Sequence, residues 1–353
     1  MQTQIAITQG DDRRDNIARA LQLLGPQIDL ARCHHILIKP NLVSTIRQLA
    51  ATHVDALRAV LDFVRQGYDG PVSVAEGAAL APTIQGYERF GYFDLVKPYD
   101  IQLVDLNACE TVTARIYDRH LHPCTVRLAR PVVDSDFRIS VGPPKTHNDV
   151  IVTLSIKNMV LGTLVNPSLA RPNSRSTESI IHPTSRVDGQ PERRVPQVMQ
   201  LVRMALPGKD HSDKMAMHQG FPLINLNIAL LAPLVLPHLA VIDGFEGMEG
   251  SGPNNGDAVD WHTALAGLDA VAVDHLTAYL MGCDPSQVGY LVYCRQMGLG
   301  TGDLSQIEML GGLEPQSVRR VFRPHPGFQR QLAWYLPEAE RLLAALTLAT
   351  NLH

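Results

Sequence analysis

No Cys-x-x-Cys pair occurs in this 353-residue chain, and its five cysteines (Cys33, Cys109, Cys124, Cys283 and Cys294) are scattered. That spacing argues against a ferredoxin-type iron–sulfur cluster and against the usual zinc arrangements, which bring ligands close together along the chain. No intrinsic iron–sulfur cluster is expected, and free, mostly buried thiols are. Aromatic residues are scarce at 5%, and the net charge is −4 with no basic stripe. Nucleic-acid binding needs clustered excess Lys and Arg to neutralise phosphates, so no nucleic-acid partner is expected. No apolar run reaches the roughly 18 residues of a spanning helix. The most apolar stretch, Ile224 to Leu236, is broken by Asn225, Asn227 and Pro233 and reads as a buried helix. The opening MQTQIAITQGDDRRD lacks the apolar centre of a signal peptide. A cytoplasmic location with no membrane partner is the expectation.

An apolar content of 45% with 19% charged residues is the composition of a globular chain with a substantial core. Short apolar runs at His35–Lys39, Val72–Ala75, Ile101–Leu106 and Phe137–Val141 read as strands. Thr52–Arg65 has helical spacing and Ile84–Val96 is expected to be a single helix. A hairpin is expected within Arg115–Leu128. This alternation predicts an α/β fold with a mainly parallel sheet flanked by helices. Residues 1–166 form one α/β half. Residues 167–214, rich in Pro, Arg, Ser, Asp and Gly, read as a long irregular insertion or lid. Residues 215–353 form a second half: a helix at Met217–Leu231, a strand at His238–Ile242, a glycine-rich loop from Gly244 to Gly256, helices at Asp269–Met281 and Ser286–Met297, a strand at Ile307–Leu310 and a last helix from Pro337.

Chemistry concentrates between Asp136 and Gly162. An apolar strand stops at Gly142-Pro143-Pro144, and Lys145, Thr146 and His147 follow at once; Thr153, Ser155, Lys157 and Asn158 lie a short way on. In open parallel sheets, ligands bind at the carboxyl ends of the strands, where other strands are expected to deliver Lys39 with Asn41, Glu76 and Asp243. The lysines suit a carboxylate or phosphate, and His147 suits proton transfer near neutral pH. A lysine in an apolar segment is costly without a partner, so Lys157 needs a counter-charge or a ligand. The competing reading turns Lys157 outward on an amphipathic helix and makes His147 an ordinary loop residue. Glu76 and Asp243 are candidate ligands for a divalent metal, although a lone strand-end carboxylate more often caps a helix or turn. The Gly244–Gly256 loop matches no nucleotide motif; it reads as a phosphate nest or a plain connection. His34, His35, His211 and His218 show no ligand spacing, while His182, in the insertion, is the histidine expected to fold over the site.

These residues occur in a recognisable order: Lys39-Pro40-Asn41-Leu42, Val74-Ala75-Glu76-Gly77, Pro144-Lys145-Thr146-His147, Thr153-x-Ser155-x-Lys157-Asn158 with Gly162, His182, and Asp243-Gly244 through Gly256. Val271-Ala272-Val273-Asp274 and Gly298-Leu299-Gly300 complete the series. The set resembles the bacterial and archaeal "domain of unknown function 362" family from about Lys39 to Gly300. Many relatives carry a ferredoxin-like iron–sulfur module, which the resemblance links to redox chemistry; this chain departs from them in having no cysteine cluster. The strand, Lys/His turn, Lys and Gly layout also resembles, more distantly, the nickel-pincer lactate racemases, where a histidine and a lysine contact the cofactor.

The preferred reading is an enzyme on a small anionic metabolite, with His147, Lys157 and Glu76 as catalytic residues. Lys39, Asn41, Lys145, Thr146, Ser155, Asn158 and His182 would bind substrate. Alternatives are a redox protein using an external cofactor or a separate ferredoxin, and a non-catalytic binder of an anion. The cofactor, including any divalent metal, and homo-oligomer formation are left open.

Overall fold

The apolar run at His35–Lys39 forms a strand over Ile36–Lys39, buried throughout as a central strand of a covered parallel sheet is, its last residue Lys39 included. The computed structural model describes residues 2–170, 180–181 and 212–348. His182 and most of the 167–214 segment lie outside the described residues.

In chain order, β1 (Thr3–Gln9) leads to α1 (Arg13–Leu24), whose first turn is capped by the Asp12 carboxylate accepting from the Asp15 amide. Next come β2 (Ile36–Lys39), α2 (Val54–Gly67), β3 (Val72–Glu76), α3 (Thr83–Arg89), α4 (Phe93–Tyr99) and β4 (Ile101–Asp105). A separate hairpin of β5 (Thr111–Tyr117) and β6 (Pro123–Ala129) precedes α5 (Arg130–Asp134) and β7 (Phe137–Gly142). The short strands β8 (Lys145–His147) and β9 (Ile151–Thr153) then fold back before α6 (Ser155–Thr163). After β10 (Ile180–Ile181) come α7 (Asp213–Ala216), α8 (Phe221–Val235), β11 (Leu239–Glu249), β12 (Asp257–Gly267), α9 (Ala270–Leu280) and α10 (Gly289–Gln296). The chain continues through β13 (Ile307–Leu310), α11 (Pro315–Val318), α12 (Phe328–Gln331) and α13 (Ala339–Leu348).

Among the described residues, eleven strands make one mixed, mostly parallel sheet in the order β10-β4-β3-β2-β7-β11-β12-β1-β13, with β8 attached to β11 and β9 to β8. The strands β2, β3, β4, β7 and β11 run parallel. Both halves of the chain share this sheet, because β1 lies between β12 and β13. Side chains alternate across it. Ile38, Val74, Ile139, Val141 and Val241 pack under α1 and α2 with Leu21, Leu57 and Val60. Leu37, Ala75, Ala240 and Ile242 face α6, α8 and α9 with Ile156, Leu226 and Val273. Each buried Val, Leu or Ile among them contributes roughly 1.5–3 kcal/mol.

The structure departs from the sequence expectations in four places. Ile84–Val96 is two helices, split where Gly91 takes a positive φ of 76°. The strand expected to end at Ile242 continues to Glu249, so half of the Gly244–Gly256 loop is strand, paired with β12 through a bulge at Gly244/Glu246. Strand β12 was not expected, since its Ala-rich DAVDWHTALAG carries little β-propensity and is held by neighbours on both sides. Strand β1 was hidden by its polar Thr and Gln residues. Among the described residues, no helix is long and apolar enough to cross a membrane.

Candidate functional site

Lys39 ends β2 and Glu76 ends the adjacent β3, and their side chains meet in a buried ion pair at 2.5 Å. Lys39 Nζ also donates to Pro40 O and Asn158 Oδ1, each at 3.0 Å. Asn158 Oδ1 accepts a second bond from Asn41 Nδ2 at 2.9 Å, and Asn158 Nδ2 donates to Ser140 Oγ at 3.1 Å. Asn41 Oδ1 in turn accepts from Lys145 Nζ, which also reaches Ala50 O at 3.3 Å. A continuous hydrogen-bonded chain therefore runs Glu76, Lys39, Asn158, Asn41, Lys145 and joins three strand ends to one helix. Gly162 is needed beside it, because a Cβ there would collide with the end of the Lys39 side chain. Asn158 and Gly162, four residues apart, present the same face of α6 to Lys39.

The Gly-Pro-Pro stop ends β7, and the chain returns as the hairpin of β8 and β9. Lys145 is cross-strand from Thr153 and His147 from Ile151. Opposed residues of an antiparallel pair share a face, and so do i and i+2, so Lys145, His147 and Thr153 lie on one side. Thr146 lies on the other, where its hydroxyl donates to Gly250 O at 2.9 Å. Ile151 opens the return strand at a φ of 68°, a costly conformation for a β-branched residue, of order 1–3 kcal/mol.

His147 is buried, and its Nδ1 accepts the Asp149 amide at 2.9 Å. That bond assigns the proton of the neutral ring to Nε2. Burial, reinforced by Lys157, His218, Lys145 and His325, holds the imidazole well below its usual range, so it is neutral at pH 7. Lys157 sits in the first turn of α6. The Asp274 carboxylate holds the start of that helix, accepting from Ser155 N and Ile156 N at 2.9 Å and from Ser155 Oγ at 2.6 Å. Burial pulls the Lys157 amine down to about 8, against the attraction of Asp149. Lys157 forms no hydrogen bond or ion pair with any described residue, and neither does His147 Nε2. Neither nitrogen is among the fully buried unpartnered atoms, so the little surface these residues keep includes them. The Thr153 hydroxyl, by contrast, is fully buried and unpartnered.

Of the residues expected at the site, Lys39, Asn41, Glu76, Lys145, Asn158, Lys157 and His147 are brought together. Thr146 and Ser155 are turned away from it, the first to Gly250 and the second to Asp274. Asp243 does not join it: the side-chain parity of β11 sends it to the α1 face with Val241, and it ion-pairs with Arg13 at 3.1 Å. Glu76 pairs with Lys39 and Asp243 with Arg13, so each carboxylate is engaged by a different cation. His182 lies outside the described residues. Sequence reading passed over Asp149, whose carboxylate meets His218 Nδ1 at 2.9 Å, and His325 beside them, because their positions are far apart in the chain. It also passed over Lys214, whose Nζ donates to Leu161 O, Gly162 O and Leu164 O at 2.9, 3.2 and 2.5 Å and so closes the end of α6.

Fold and site together define an α/β protein with a buried lysine and asparagine network at the strand ends. The family model "Domain of unknown function (DUF362)" matches residues 36–279, and the chain belongs to this family. It is similar to the thylakoid-associated protein sll1697 of Synechocystis sp., at 23% identity over 266 residues, 75% of this chain and 68% of that protein. Among solved structures, the lactate racemase apoprotein from Thermoanaerobacterium thermosaccharolyticum aligns at 16% identity with a TM-score of 0.33, covering 47% of this chain and 39% of that one.

Proposed function

We propose that this protein is an enzyme acting on a small anionic metabolite, a carboxylate or phosphate, by acid/base chemistry. One observation carries the reading: Lys39 and Lys145 are engaged by acceptors, while Lys157 Nζ and His147 Nε2, near enough for the lysine to act on the imidazole, have no partner among the described residues. An anion seated there supplies the counter-charge that Lys157 lacks and draws its amine back towards the ammonium. His147, with Nδ1 engaged and the proton on Nε2, serves as a hydrogen-bond donor to substrate oxygen. The amide pair Asn41 and Asn158 fixes Lys145 and Lys39 so that the site needs little reorganisation. A cytoplasmic location is part of the same proposal, and cell fractionation tests it.

The test is calorimetry with inorganic phosphate and a panel of small carboxylates. Wild type is expected to bind at least one of them. Lys157→Met is expected to lose affinity tenfold or more with an unchanged circular dichroism spectrum. Equal affinity in that variant would remove Lys157 from the site, and no binding of any such anion would end the reading.

A further inference from the structure

We propose that Lys157 is a nucleophile that forms an imine with an anionic carbonyl compound, one that carries a carboxylate or phosphate close to an aldehyde or ketone. The inference rests on the anion site just described and assigns its substrate class.

Among the described residues, four buried lysines lie in or around α6, and three are used structurally. Lys39 has three acceptors, Lys145 two and Lys214 three. Lys157 alone among them has none. A structural ammonium in so dry a place needs acceptors, whereas a nucleophilic amine needs its lone pair free. Desolvation is a recognised way of freeing a lysine amine, and Lys157 is only 7% exposed; Lys39 adds to the effect while Asp149 and Glu76 oppose it. Its amine is held at about 8 as a result. Near it, His147 Nε2–H is a fixed donor for a carbonyl oxygen. Asp149, already engaged with His218, is the carboxylate on the outer side.

The step balances without a redox partner. The Lys157 lone pair attacks the carbonyl carbon, forming a C–N bond while the C=O π pair moves to oxygen. His147 Nε2–H stabilises that oxygen by a hydrogen bond. One nitrogen proton passes to the oxygen, giving a neutral carbinolamine. The C–O bond then breaks, and the oxygen leaves as water with the second nitrogen proton. The products are one imine and one water.

Full-length protein is treated at about pH 7.5 with glyoxylate or glycolaldehyde phosphate and cyanoborohydride, which reduces imines, and its peptides are mapped by mass spectrometry. Lys157 is expected to be alkylated on the order of a hundredfold faster than the exposed Lys97, because burial lowers its amine to about 8. Inorganic phosphate should suppress the labelling, and the faster of the two probes identifies the anionic group. Lys157→Arg keeps the cation, and should bind phosphate but trap nothing; Lys157→Met serves as the untrapped control if the larger arginine is not accommodated. Lys157 reacting no faster than Lys97, or as fast with acetaldehyde as with glyoxylate, would overturn the proposal. Phosphate binding without trapping sinks the imine chemistry alone; absence of both sinks the anion site with it.

Discussion

Lys157 and Lys214 are buried to the same degree, each 7% exposed, and both serve α6, yet the fold treats them in opposite ways. Lys214 meets three carbonyl oxygens at the negative end of the helix dipole. Burial pulls its amine down to about 7, while those oxygens favour the ammonium. Lys157, inside the same helix, meets no acceptor among the described residues. Residue type and burial are therefore poor guides to a lysine's purpose, and the count of acceptors is a better one. A cation that closes a helix end is built in for stability; one left without partners is retained against stability, as functional groups commonly are.

The largest expected effect tests the structural half of this contrast. Lys214→Met leaves three buried carbonyls without a donor, and the penalty for those orphaned acceptors should outweigh the relief of no longer burying an amine held at about 7, for a net cost of about 2–4 kcal/mol in urea unfolding. A cost under about 1 kcal/mol would make the two lysines alike. The second prediction has the opposite sign. Lys157 falls from 10.5 to about 8 on folding, and each unit is worth about 1.4 kcal/mol. Below pH 8 the folded state therefore carries the whole penalty of burying the charge, which is relieved as pH rises from about 8 towards 10.5. Lys157→Met should stabilise the ligand-free protein by up to about 3 kcal/mol at pH 7, and by much less near pH 10. Denaturant midpoints of the two proteins at both pH values check this, and a destabilised variant at pH 7 would contradict it.

What could be read from the residue order was the sheet and the list of strand-end polar groups. Apolar runs ended by Gly or Pro are local signals, and β2, β3 and β7 follow from them. Which face each strand end presents is not local. Asp243 was grouped with Lys39 because both end strands, but counting by two from Val241 and Leu37 puts them on opposite faces once the sheet pairing is known. Thr146 and His147 are neighbours in the chain and diverge for the same reason. Lys214, Asp149 and His218 come from three separated segments, and nothing in their flanking residues announces that they meet α6 or the hairpin. Asp274 stood in the ordered motif set, but its role in holding Ser155 and Ile156 is visible only when α9 is packed on α6.

The smallest effect sharpens the contrast within a single hairpin. Thr146 and Thr153 are both buried threonines, but the Thr146 hydroxyl donates to Gly250 O and the Thr153 hydroxyl has no partner. Thr146→Val breaks a made hydrogen bond and should cost about 1 kcal/mol with anion affinity unchanged. Thr153→Val removes an unsatisfied polar group, so it should be neutral or stabilise by up to about 1 kcal/mol. If Thr153, like Lys157, is kept for a ligand, the same change should weaken anion binding several-fold. Thermal melts and calorimetry on the two variants give four signs, and the contrast requires stability and affinity to separate in opposite directions. A Thr153→Val protein that is less stable and binds as well as wild type would place that hydroxyl with the structural groups, leaving Lys157 and His147 as the unpartnered pair.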